Sequence, residues 1–201
     1  MKKLIVLLGV LLCVGPARTQ ERIPDEEARN IARTLIDAAK KAKAPLTTDA
    51  DPDKPYGKHK DEYGAMVIPD KKFSAERLAK VGKDEVIPVG QFWMRGLGPT
   101  VEGKVVPSKN LQMLTVTHND KEYNLVLCYL GVRKGAKDAL ELVVLSRDKT
   151  PLLKTPLEKA DETQELPVEF SATIEGDDRA ILKMLLHGRY KAKLTLGVLA
   201  D

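Results

Sequence analysis

The chain is poor in the residues that usually carry chemistry. It has two cysteines and three histidines, and aromatic residues make up 4% of its 201 positions. So few aromatics argue against a broad stacking surface for bases or sugars. Cys13 lies in the N-terminal apolar run, so a chain cleaved after that run keeps only Cys128 and cannot form an internal disulfide. Neither His-x-x-x-His nor Cys-x-x-Cys occurs, and His59, His118 and His187 stand far apart in predicted loops, so no metal site is expected. No Gly-x-Ser-x-Gly elbow is present. Gly96-Leu-Gly98 lacks the third glycine and the following helix of a dinucleotide fingerprint, so no cofactor is expected either. Charge of neither sign dominates: 33 basic residues face 29 acidic ones. That near-balance argues against a dedicated nucleic-acid binder.

Long apolar runs are scarce too. Leu4 to Val14 is one, eleven residues long and too short to span a bilayer. Lys2 and Lys3 precede it, and Gly15 and Ala17 follow as small residues at −3 and −1 of a cleavage point. Residues 1–17 therefore read as an export signal, which places the mature chain in the periplasm or outside the cell without a stable membrane span. Leu12 before Cys13 is not the small residue that a lipid-attachment site requires. Losing residues 1–17 removes two lysines and no acid, so the net charge of +4 falls by two.

Residues 18–64 read as an N-terminal helix and a flexible linker. Asp25, Glu26 and Glu27 open the helix, and Lys40, Lys41 and Lys43 close it, both favourable to the helix dipole. Its apolar face, Ala28, Ile31, Ala32, Leu35, Ala38, Ala39 and Ala42, is mostly alanine, which predicts a loosely docked or mobile helix. Three prolines and two glycines over residues 45–64 predict the linker. Within it, Asp49, Asp51 and Asp53 fit the first ligands of a calcium loop. Lys54 and Lys60 stand where the turn glycine and the bidentate glutamate belong, so a solvated acidic loop is expected instead. Ser74 caps a short helix that ends before Gly82.

From residue 65 on, the pattern becomes that of strands. Met66 to Ile68 is a short one. Val86 to Met94 carries Pro88 and Gly90 and so predicts an edge or bulged strand. Glu122 to Val132 is the longest apolar stretch of the mature chain. It predicts a strand buried on both faces, with Tyr123, Leu125, Leu127 and Tyr129 on one side and Val126, Cys128, Leu130 and Val132 on the other. Leu166 to Ile174 and Tyr190 to Val198 alternate cleanly. Ala180 to Leu186 has helical propensity, but tight turn signals on both sides favour a strand. The expectation is a mainly β fold: an antiparallel β-sandwich of seven to nine short strands over residues 65–201, preceded by the N-terminal helix and the short capped helix.

One cluster stands out as a candidate binding surface. Phe92, Trp93, Met94 and Arg95 gather the sole tryptophan beside three other residue types enriched at binding hot spots. The competing role is that Trp93 plugs the core. Cys128, mid-strand among Leu127, Tyr129 and Leu130, reads as a small core hydrophobe rather than a nucleophile.

Residues 86–196, through Val89-Gly-Gln-Phe-Trp-Met-Arg-Gly96, Leu130-Gly-Val-Arg133 and Gln164-Glu-Leu-Pro167, resemble uncharacterised secreted β-rich proteins of planctomycete-type bacteria. Val101-Glu-Gly-Lys-Val105 resembles the carboxypeptidase regulatory-like sandwich, although Pro107-Ser-Lys-Asn replaces its Asp-Gly turn. Neither resemblance implies a functional residue. The sequence favours a non-catalytic binding or structural module of the cell envelope that meets a protein partner through a sheet edge. A small extracytoplasmic hydrolase with dispersed carboxylates and a carrier of a small apolar ligand are the alternatives.

Overall fold

The computed structural model describes residues 20–176 and 178–199. The predicted signal segment, with Cys13, lies outside the described residues. The first part of the chain runs β1 (Glu21–Arg22), α1 (Asp25–Ala39), β2 (Tyr56–Lys60), β3 (Tyr63–Pro69), α2 (Ala75–Ala79), β4 (Val86–Arg95), β5 (Leu97–Val101) and β6 (Lys104–Val105). The second part runs β7 (Gln112–His118), β8 (Lys121–Lys134), β9 (Leu140–Leu145), β10 (Leu153–Pro156), β11 (Glu158–Lys159), β12 (Val168–Glu175), β13 (Arg179–Leu186) and β14 (Tyr190–Val198). Two antiparallel sheets of eight and six strands pack as a sandwich. The first has the order β1-β2-β3-β4-β8-β9-β10, with β7 also paired to β8. The second has the order β12-β13-β14-β5-β6, with β11 also paired to β14.

β8 is the spine of the larger sheet. One of its edges pairs with β4 over Leu125–Arg133. Its other edge is shared, by β7 up to Leu127 and by β9 from Tyr129. Ser146 sits at this fork, buried, accepting a hydrogen bond from the Gln112 N–H (2.8 Å) and donating to the Leu127 carbonyl (3.3 Å). The two faces of β8 are those its alternation predicts. Val126, Cys128, Leu130 and Val132 enter the core between the sheets, where Phe92 meets Phe170 edge-on at 6.3 Å. Leu127 and Tyr129 face the other way, into a second core under α1.

That second core corrects the expectation of a loosely docked helix. Ala28, Ala32, Leu35 and Ala39 are all buried against Met66, Ile68, Trp93 and Leu127. Small side chains bury little area each, but they let a helix backbone come close to a sheet, and close approach excludes water. The helix is shorter than predicted, ending at Ala39 with Lys40 as its C-cap. α2 begins as predicted, the Ser74 hydroxyl accepting from the Arg77 N–H.

The linker expected over residues 45–64 is also corrected. Tyr56–Lys60 is a strand between β1 and β3, and β3 itself runs through position 64. Of the aspartates there, Asp51 accepts from the Asp53 N–H, and Asp49 and Asp53 pair with Lys71 and Arg33; beyond the segment, buried Asp70 accepts from the N–H groups of Asp49 and Lys72. No cluster of three or more His, Cys, Asp or Glu residues suited to a metal ion occurs among the described residues. No helix among them is long and apolar enough to cross a membrane.

Of the two forms expected for Val86 to Met94, edge or bulged, the strand is bulged and not an edge. β4 lies inside the sheet, between β3 and β8, and its ladder shifts register between Pro88 and Gly90. The bulge absorbs the missing proline donor, so an interior strand tolerates the residue that would normally mark an edge. At Gly96 (φ +66°) the chain leaves one sheet for the other and becomes β5. A Cβ there would stand 2.8 Å from the Tyr63 ring.

Candidate functional site

The four residues singled out in the sequence are separated by strand alternation. Phe92 points into the core between the sheets, and Trp93 points under α1. Phe92, Trp93 and Met94 are each at most 2% exposed, and Arg95 alone is at the surface. They do not form a solvent-facing patch. The Trp93 indole N–H donates to the Gln91 side-chain oxygen at 3.1 Å, which satisfies the one polar atom that the ring brings inside.

Trp93, Met94 and Arg95 nonetheless line one groove, of about 310 Å³, on the α1 side of the larger sheet. Strand pairing builds its floor. His59 lies opposite Gly64, Gly64 opposite Arg95, and Arg95 opposite Leu125, so these positions form one row across β2, β3, β4 and β8. Directly paired residues of an antiparallel sheet share a face. Met66, Trp93 and Leu125 give an apolar floor, and Ile31 and Leu35 of α1 give the wall. His59, Asp61, Arg95 and His118 give the rim. The Arg95 guanidinium lies 4.9 Å from the centre of the Tyr123 ring, a cation–π contact that holds the charge at the mouth. Sequence reading placed His59 and His118 in unrelated loops. The β2–β3 turn and the β7–β8 turn bring them to the same groove, and only tertiary pairing could reveal it.

β7 borders the groove through Val116 and His118. Its only ladder partner among the described strands is β8; apart from Gln112, whose N–H is taken by Ser146, its other edge has no paired strand. Its sequence, Gln112-Met-Leu-Thr-Val-Thr-His118, contains no Lys, Arg, Asp, Glu or Pro. The other edge strands each carry a charge: Glu21 and Arg22 in β1, Lys104 in β6, Lys154 in β10, Glu158 and Lys159 in β11, and Glu169 and Glu175 in β12. Met113 is 38% exposed, one of two large apolar residues that are so exposed among the described residues.

Cys128 is fully buried in the core between the sheets, and burial pushes its thiol up to about 12, the Ser146 hydroxyl pulling weakly the other way. A thiol so protonated is inert. Buried apolar side chains of both sheets form a core between them. It opens at one end into a depression of about 180 Å³ beside Phe170 and Leu182. No family model, no curated protein and no solved structure matches this chain.

Proposed function

We propose that the protein is an exported, non-catalytic binding module that takes an extended segment of a protein partner onto the edge of β7. The observation that carries this reading is the unprotected edge itself. Stable β proteins guard open edges with lysine, proline or another charged residue, because a bare edge pairs with any strand it meets. Every other edge strand described above has such a guard, and β7 has none. An added strand would satisfy the free N–H and C=O groups of β7 and give affinity through the main chain. It would lie one strand spacing beyond Val116 and His118, about 4.8 Å away, and so lengthen the apolar floor of the groove. Arg95 and the two histidines would then read the side chains that reach the rim. The envelope location rests on the N-terminal segment, Lys2 to Ala17, as read from the sequence.

The test uses the mature chain against a displayed library of extended peptides. Selected peptides are expected to slow amide exchange along Gln112–His118. Replacing Met113 and Thr117 with lysine, both at exposed positions, is expected to abolish binding and leave the melting transition in place. Peptides that protect a different strand, or a β7 edge already occupied by a second copy of the chain in solution, sink the reading.

A further inference from the structure

A second depression lies on the same face of the sheet, under the other half of α1. It has a volume of about 650 Å³, within the range of small-molecule sites. Its floor is a cross-strand pair, Gln91 of β4 opposite Tyr129 of β8. Both are more than nine-tenths buried, at 5% and 1% exposure. Neither side chain is among the enclosed groups left without a partner, and both line the depression, where a ligand can take the place of water.

Their orientation is fixed. The Trp93 indole N–H is a donor only, so it holds the Gln91 amide with its oxygen toward the ring. The NH₂ edge of Gln91 is left as the donor. Burial alone raises the pKa of the Tyr129 hydroxyl, which keeps it protonated and able to donate. The floor therefore presents two donors side by side and calls for an acceptor oxygen.

The rim says what kind of acceptor. Lys40 is paired with Asp37 at 2.7 Å, Lys71 with Asp49 at 3.1 Å, and Arg33 with Asp53 at 3.3 Å. Each cation of the rim is thus already matched by a carboxylate, so the rim offers an ionic ligand no unmatched charge. An ion resting on the floor would meet only dipoles, which do not repay the loss of its hydration. A neutral carbonyl suits both levels. Thr47 and Thr48 add hydroxyls to the wall, and Ile36 and Ala39 give it an apolar side.

We infer that this depression binds an uncharged small molecule through a carbonyl oxygen seated between Gln91 and Tyr129. The site is independent of the β7 edge. Trp93 is the sole tryptophan and is hydrogen-bonded to the floor, so its indole N–H resonance is a built-in reporter. Titration of the mature protein with N-acetylglucosamine is expected to shift that resonance saturably, and glucose, which lacks the acyl group, is expected to leave it in place. Tyr129→Phe removes one neutral hydrogen bond and is expected to weaken binding roughly tenfold. Gln91→Glu keeps an acceptor for the indole and loses the NH₂ donor, so binding should be lost. Arg95→Ala, at the other groove, should leave this titration unaltered. An absent shift, equal responses to glucose and the N-acetyl sugar, a stronger response to acetate ion, or unaltered binding in Tyr129→Phe and Gln91→Glu overturns the inference.

Discussion

His187 shows how much one side chain can be committed to a single protonation state. It turns the chain between β13 and β14 with φ +50°, its ring lies 4.8 Å from that of Phe73, and its Nε2 is enclosed without a hydrogen-bond partner. Burial lowers its pKa below the ordinary histidine value. The Phe73 backbone and Glu76 pull it upward, and Arg189 and Lys54 push it further down. The folded state therefore prefers neutral imidazole. Above an unfolded value of about 6.5 this preference costs nothing, and below it the unfolded chain takes up the proton first. Stability is expected to fall as the pH drops below that value. His187→Asn, which tolerates the left-handed backbone, should flatten the loss. Superimposable urea midpoints against pH for the two proteins would show that His187 plays no part. Gly90 is committed through its backbone instead. Its φ is +154°, and an added Cβ would fall 2.2 Å from the Ile68 carbonyl oxygen. Gly90→Ala should force the bulge apart and lower the melting temperature well beyond the effect of an ordinary surface change.

At the scale of elements, the period of the sequence reported β8 faithfully. The split of its side chains into two faces, Val126, Cys128, Leu130 and Val132 against Leu127 and Tyr129, followed from residues alone; that the second face meets α1 did not. A strand covered on both sides has one physical solution, and its composition states it. β13 was legible through its flanking turns even though its residues favour helix. β4 was legible as a strand but its place inside the sheet was not, because Pro88 and Gly90 describe an edge and a bulge equally well. The choice between them depends on Gly131 and Leu130 across the ladder, about forty positions away. Distance in sequence hid the groove too, since His59 and His118 come to it only through four strand pairings. The fork in β8 was hidden too. There a small hydroxyl holds two diverging strands, so Ser146→Ala should leave the Gln112 N–H without its buried acceptor. A loss of about 1–3 kcal/mol is expected in chemical unfolding, with faster amide exchange at Gln112 than at Val116. A change confined to β9 would show that the serine does not tie the strands together.

At the scale of the whole molecule, the N-terminal region and the sandwich share structure that the composition seemed to divide. Prolines and charges over residues 45–64 suggested two parts joined by a tether. In the fold, β1 and β2 extend the larger sheet, β2 pairs with β3 residue by residue, and Tyr56 packs edge-on against Phe170 of the opposite sheet at 5.2 Å. α1 covers the outer face of that sheet, where Met66, Ile68, Trp93, Leu127, Tyr129, Val143 and Leu145 form a continuous apolar surface. A chain beginning at residue 65 would lose the helix and two strands together. It would expose that surface and leave β3 as a bare edge. Exposed apolar faces and open edges both drive association. The shortened chain is therefore expected to self-associate and to lack a cooperative melting transition, whereas the chain from Gln20 onward should melt in one step. Trp93 reports the difference directly, because its emission should move to longer wavelength once α1 no longer shields the ring. A monomeric 65–201 fragment with the full-length midpoint and unshifted Trp93 emission would mean that the helix and its strands rest on an independently stable sandwich.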